Sequence, residues 1–253
     1  IYDHTILIKN AHIIVDEKTE LQCGSILIKN GKIEEIAENI DCNCSEVIDA
    51  KGQIVIPGMI DTHIHGAMGH DFTDGTQETI DAVSKDLIKD GVTGFLGSLT
   101  VVEHNRMMKI LNSYKECHPC AEGACFLGIH SEGPYLSKEY KAVMNPLYIK
   151  AYDEKEFEEM TEVKPGLIKS MTFCPNQEGA DILLEKGKKM GIAMMIGHTN
   201  ASCACAMTAI DNGASGYTHL YNAMSQHTHR NPGCVTAAFN SNGYCEMITD
   251  TVH

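Results

Sequence analysis

The sequence contains no tryptophan and only two arginines, Arg106 and Arg230, among its 253 residues. Acidic residues number 34 against 20 Lys and Arg, for a formal net charge of −14. A chain this acidic offers no basic surface to a nucleic acid or an anionic membrane, so neither partner is expected. Long apolar runs are also missing: none approaches the roughly 18 residues of a membrane span. The N-terminus lacks a signal-peptide pattern, and the expected location is the cytoplasm. No Gly-x-Gly-x-x-Gly joins the first strand of the α/β region to its first helix, which removes the usual support for nucleotide binding there.

Cysteine is not scarce, but its arrangement excludes two chemistries. The eleven residues are scattered and odd in number. Without a secretion signal most read as reduced, small apolar side chains. Cys117-His-Pro-Cys120 has the C-x-x-C spacing, yet it closes a helical pattern instead of opening one, where a thiolate would be stabilised. Cys42-Asn-Cys44 and Cys203-Ala-Cys205 have no second pair at zinc-site spacing.

What remains is an ordinary globular composition, 43% hydrophobic and 21% charged, in a chain long enough for one large α/β barrel or two smaller domains. Residues 1–52 show strand patterns and no helical period. Thr5–Lys9, His12–Val15, a hairpin over Ser25–Ile33 turning at Asn30-Gly31, and Glu46–Asp49 form a β unit too small to stand alone. From residue 53 onward strands and helices alternate. Strands are expected at 54–65, 93–100, 124–130, 168–174, 191–197, 215–220 and 244–249. Helices are expected at 76–90, 102–114, 154–161, 180–190, 201–212 and 235–239. Seven strands in this alternation point to a (β/α)₈ barrel with one strand outstanding, and a doubly wound open sheet is the alternative.

The chemistry concentrates at strand ends. Ile56-Pro-Gly-Met-Ile-Asp-Thr-His-Ile-His-Gly66 runs from a buried strand into His63 and His65, which two-residue spacing turns to one side of the strand, within reach of one metal ion. Three later apolar runs end in the same way, at His130 and Glu132, at His198 and at His219. One such residue alone is an ordinary core or loop side chain. Four strand ends repeating the pattern favour a metal centre.

These motifs resemble the N-acetylglucosamine-6-phosphate deacetylase family of the amidohydrolase superfamily. The likeness runs along essentially the whole chain and is carried by Pro57–Gly66, Gly128–Tyr135, Gly197–Ala201, Thr218–Met224 and Arg230–Gly233. It implies a metallo-dependent TIM-like barrel bearing a small β-sandwich built from both chain ends, with residues 1–52 as the sandwich's N-terminal part and residues 53–253 as seven barrel strands. The eighth strand would then lie beyond His253.

By the same resemblance, Glu132, His198 and His219 match the central metal position and His63 and His65 a second one. The ion would be zinc or iron, one firmly held and a second conditional. Asn222, Ala223 and Arg230 match positions that meet the sugar phosphate, His253 a sugar-binding histidine, and Val143 a backbone contact. A guanidinium fork suits phosphate geometry, which gives Arg230 weight in a chain with so few arginines. Met144 stands where the family has a carbonyl-polarising histidine, a role for which His130 or a second metal could substitute. The general acid/base, an aspartate on the eighth strand, has no counterpart up to His253, and Asp250 is not assigned its role.

The implied activity is hydrolysis of the acetamide of N-acetylglucosamine 6-phosphate, with a homodimer as the implied assembly and no turnover expected from residues 1–253 alone. A different N-acyl substrate, suggested by Met144, and a non-catalytic sugar-phosphate-binding paralogue are the alternatives.

Overall fold

The computed structural model describes residues 4–253. They fall into two units, the first ending at Gly58 and the second running from Met59 to His253. No helix among the described residues is long and apolar enough to cross a membrane.

The first unit contains five strands: β1 (Thr5–Ile14), β2 (Glu20–Lys29), β3 (Lys32–Ala37), β4 (Glu46–Asp49) and β5 (Ile54–Val55). Their order is β3-β2-β1-β4, and β5 also pairs with β1. The two runs expected at Thr5–Lys9 and His12–Val15 are one strand. The interruption between them is a register shift beside Asn10, whose φ of 56° takes the backbone out of the extended region without ending the pairing. Asn30 and Gly31 both have positive φ, as a two-residue hairpin between twisted strands requires. Ala11, Ile13, Ile26 and Ala50 form the unit's core. Cys42 and Cys44 are joined by a disulfide, while the other nine cysteines are free.

Ile54-Val55, expected to open the first barrel strand, belongs instead to this first sheet, in parallel with His12-Ile13. Pro57-Gly58 separates it from β6, because proline cannot donate to a ladder and is excluded from a central strand.

The second unit begins with β6 (Met59–Ile64) and a small hairpin of β7 (Gly66–Ala67) and β8 (His70–Asp71) that the sequence pattern did not suggest. It continues as α1 (Gln77–Leu87), β9 (Val92–Leu99), α2 (His104–Glu116), β10 (Cys125–Glu132), α3 (Glu154–Glu162) and β11 (Ile168–Phe173). The remaining elements are α4 (Ala180–Lys189), β12 (Ala193–Ile196), α5 (Cys203–Asp211), β13 (Gly216–Tyr217), α6 (Cys234–Phe239) and β14 (Tyr244–Cys245). Side-chain N-caps start the helices where the chain turns off the sheet: Thr76 on α1, Asp153 on α3 and Ser202 on α5.

Seven strands pair in parallel in the order β14-β13-β12-β11-β10-β9-β6. Each new strand is added on the same side of its predecessor. That is the progression of a (β/α) barrel, whereas a doubly wound sheet reverses direction at a switch point. Parallel pairing in sequence order also brings all the C-terminal strand ends to one rim. Behind that rim lies a continuous core that includes Phe72, Phe95, Leu99, Tyr114, Phe126 and Ile129.

The last two strands are shorter than expected. After β13 the backbone turns left-handed at His219, Tyr221 and Ala223, with φ of 32°, 78° and 49°, so extended pairing cannot continue. Gly216 lets β14 close on β13, since a Cβ there would lie 2.1 Å from the Tyr244 carbonyl oxygen. Gly216→Ala is therefore expected to displace β14 and to destabilise the fold by about 1–3 kcal/mol, read as a lower urea midpoint.

Candidate metal centre

Five side chains converge at the rim, each delivered by a strand end. His63 lies within β6 and His65 just beyond it. The His63 amide donates to Asp61 Oδ1 at 3.0 Å, and the His65 carbonyl accepts from the Phe72 amide at 2.8 Å, which ties the strand end to the core. Glu132 ends β10 with 4% of its surface exposed, His198 follows β12 with 2% exposed, and His219 follows β13.

All four imidazoles turn Nε2 toward the Glu132 carboxylate. His198 and His219 each lie 3.0 Å from Oε1, His63 3.4 Å from Oε1 and His65 3.1 Å from Oε2. The nitrogens also approach one another, with 3.1 Å between His63 and His65 and 3.1 Å between His198 and His219. The donors form two overlapping triads, His63/His65/Glu132 and Glu132/His198/His219, whose ligand atoms lie within 4.8 Å of one another.

The donor set can be tested against a cation through His198. Its Nδ1 stands 2.8 Å from the Tyr140 carbonyl oxygen, which can only accept, so Nδ1 carries the proton. In the neutral ring Nε2 is then a lone pair aimed at a carboxylate oxygen and at a second imidazole nitrogen. Acceptors packed in this way repel unless a positive charge lies among them. Protonating every ring would place several like charges within a few ångströms, whereas a divalent ion satisfies all the acceptors together. The residues fit a transition-metal ion.

The local electrostatics agree. Burial would raise the Glu132 carboxyl, but hydrogen bonds from His198, His219, His63 and His65 outweigh it and hold the group far below the usual carboxylate range. Burial also lowers His63, yet the carboxylates of Glu132 and Glu246 push it up to about 9.

His130 takes another part. Wholly buried, it has Nδ1 2.9 Å from Ser98 Oγ and Nε2 2.8 Å from Thr172 Oγ1, which continues to Thr218 Oγ1 at 2.7 Å. Burial, with the charge of His63 beside it, drives it down to about 3. Both ring nitrogens are engaged, so His130 is a wall beneath the centre and not the substitute polariser for Met144.

The other predicted residues are distributed differently. Met144 is buried with Val101, Leu136 and Ile149 in a satellite apolar cluster, and Val143 beside it is 99% exposed. Met144→His is therefore expected to cost about 1–3 kcal/mol of stability in a chemical-denaturation curve, since an imidazole there would lose its water. The amide of Asn222 donates to the His219 carbonyl at 2.9 Å, and the Ala223 carbonyl accepts from the Thr199 amide at 3.1 Å, so both lie in the loop that places His219 and His198. Arg230 lines a surface cleft of about 340 Å³ together with Asn200, Ser202 and Asn231. His253 is exposed, with Nδ1 2.9 Å from Asp250 Oδ2. Backbone hydrogen bonds from His253 and Val252 hold Asp250 down at about 2.

Glu246 was not singled out from the sequence. It follows β14 and lies, partly buried, with its carboxylate 3.5 Å from His63 Nδ1. The expected seventh strand, 244–249, put Glu246 in a strand interior, and only the early end of β14 at Cys245 makes it a strand-end residue like His198 and His219.

The amidohydrolase family profile matches residues 54–253. The chain is 34% identical to the N-acetylglucosamine-6-phosphate deacetylase of Bacillus subtilis over 98% of its own length and 64% of that protein's. It is 29% identical to the enzyme of the same name from Lysinibacillus sphaericus, over 98% of this chain and 65% of the relative. Among solved structures it is similar to N-acetylglucosamine-6-phosphate deacetylase from Pasteurella multocida, with a TM-score of 0.86 at 29% identity, covering 98% of this chain and 65% of that one. The chain thus spans just under two thirds of the length of these relatives.

Proposed function

The chain belongs to the amidohydrolase family, whose members depend on a bound metal, and from that premise we propose that the complete protein hydrolyses the acetamide of N-acetylglucosamine 6-phosphate, releasing acetate and the free amine. The observation that carries this reading is the single carboxylate of Glu132 surrounded by four imidazole nitrogens that all present Nε2. The substrate comes from the likeness to deacetylases of that name.

Glu132, His198 and His219 would hold one ion, and His63, His65 and Glu132 a second, with zinc or iron suited to imidazole and carboxylate donors. A divalent ion held there supplies Lewis-acid chemistry, activating water near neutral pH and polarising an amide carbonyl. The chain's own residues set the geometry. Tyr140 holds the His198 ring in the tautomer that presents Nε2. The His130, Thr172 and Thr218 hydrogen bonds close the floor of the site to bulk water.

The leaving amine needs a proton, because an amide anion is too poor a leaving group. Asp250, with a pKa of about 2 and its carboxylate committed to the turn at His253, is no acid for that step at neutral pH.

Arg230 would anchor the phosphate. Charged hydrogen bonds of this kind are worth about 1.5–3 kcal/mol, so Arg230→Ala is expected to raise KM roughly 10- to 100-fold. Activity on unphosphorylated N-acetylglucosamine should stay unchanged.

The deciding experiment measures acetate release from N-acetylglucosamine 6-phosphate by the complete protein, with metal content determined on the same sample. Turnover with bound metal supports the reading. Metal without turnover on this sugar redirects it to another N-acyl substrate, and protein that binds no metal ends the hydrolase reading.

A further inference from the structure

Glu246 has a better-defined setting than a stray buried acid. Its amide donates to the Tyr217 carbonyl and its carbonyl accepts from the Leu220 amide, each at 2.9 Å, so its backbone is pinned beside the loop that carries His219. Its side chain crosses to β6. There Oε1 accepts from Thr62 Oγ1 at 3.0 Å, while Oε2 is buried with no hydrogen-bond partner among the described residues. The nitrogen facing Oε2 is Nδ1 of His63, 3.5 Å away, with only 14% of the Glu246 side chain and 15% of the His63 side chain exposed.

Buried carboxylate oxygens are nearly always given a donor. A neutral imidazole has one N–H to give. Placed on Nε2, that proton would leave the Nδ1 lone pair facing a buried carboxylate oxygen, two acceptors with nothing between them. Placed on Nδ1, it supplies the missing donor and leaves the Nε2 lone pair facing Glu132 and His65. The separation exceeds a settled hydrogen bond of about 2.9 Å, and a modest ring rotation about the soft χ2 torsion closes it.

Of the other ligands, His198 is fixed in the same sense by the Tyr140 carbonyl, a neutral acceptor, while His219 Nδ1 has no hydrogen-bond partner among the described residues. The outer nitrogen of His63, by contrast, faces the full negative charge of Glu246.

We propose that Glu246 is a positioning residue that locks His63 in the Nδ1-protonated tautomer, aims its Nε2 at the His63/His65/Glu132 position, and so makes the complete protein hold two ions instead of one. The inference rests on the metal-centre reading above. An outer carboxylate of this kind orients a ligating imidazole and raises its basicity, and its removal typically lowers metal affinity about 10- to 100-fold.

The test uses the complete protein as wild type, Glu246→Gln and Glu246→Ala, titrated with zinc against a competing chelator. The zinc-free proteins are examined by nitrogen-15 NMR of the histidine side chains at a pH above about 9, where the His63 ring is neutral and carries a single N–H. Wild type should bind two zinc ions and show His63 protonated at Nδ1. Glu246→Ala should weaken one zinc about 10- to 100-fold, leave the other unchanged and mix the His63 tautomers. Glu246→Gln keeps the shape and an acceptor but not the charge. It should fall between the two, and it carries the comparison if the alanine variant does not fold.

Two zinc ions bound equally well by all three proteins would overturn the proposal, as would a wild type that holds one ion only, or an even loss of both ions in a folded variant. A wild type that binds no zinc at all would instead remove the metal-centre reading on which the proposal stands.

Discussion

On the proposed two-ion amidohydrolase reading, Glu132→Ala is expected to empty both ion positions and to lower amide hydrolysis by the complete protein by at least about 10³-fold, since Lewis-acid stabilisation worth several kcal/mol is lost at about 1.4 kcal/mol per tenfold. The reason is geometric. Glu132 is the residue common to both donor triads, and its two oxygens are the points toward which all four imidazoles turn. Removing it also leaves those imidazoles facing one another. The replacement should therefore cost more than His65→Ala, which touches one triad and whose side chain is already 42% exposed. Parallel assays of acetate release and bound metal check the ranking. Equal losses for the two variants would show that the triads do not share the carboxylate in function.

Phe72→Ala is expected to destabilise the second unit by about 3–5 kcal/mol, measured by urea unfolding, the usual cost of removing a fully buried aromatic ring. Phe72 is 0% exposed and packs with ring centroids 5.8 Å from Phe95, 6.2 Å from Phe126 and 6.2 Å from Tyr114. The sheet makes room for it at Gly97, where a Cβ would come within 2.5 Å of the ring, so Gly97 and Phe72 form one fitted pair. The Tyr114 hydroxyl donates to the Phe72 carbonyl at 2.7 Å, and the Phe72 amide donates to the His65 carbonyl. Loss of the ring should consequently loosen His65 as well. Weaker zinc binding at the His63/His65/Glu132 position, with the other position unaffected, is the accompanying result.

Much of this architecture was legible without coordinates because its determinants are local. Helical spacing of Ile80 and Val83 and the stop at Gly91 place α1 to within three residues at either end, the last of them tightening into a 3₁₀ turn over Ile88–Asp90. The two-residue period of β6 is enough to turn His63 and His65 to one side. Boundaries failed where a local pattern met a pairing choice. Ile54-Val55 is as good a strand for either sheet, and only its register with β1 assigns it to the first. The expected strand through Leu220 stops at Tyr217 because the loop that places His219 needs left-handed residues, which apolar periodicity does not reveal.

The site divides along the same line. The sequence by itself determined which residues could bind a cation: four histidines and a glutamate at the ends of strands, a property of residue type and short-range spacing. It could not decide that all of them face one carboxylate, that Met144 turns into an apolar cluster, that His130 spends both nitrogens on hydroxyl groups, or that Glu246 reaches His63 from the far edge of the sheet. Those outcomes depend on how far the sheet curls between β6 and β14. That curl is the sum of twist and packing over seven strands, and spacing within any one element carries no record of it.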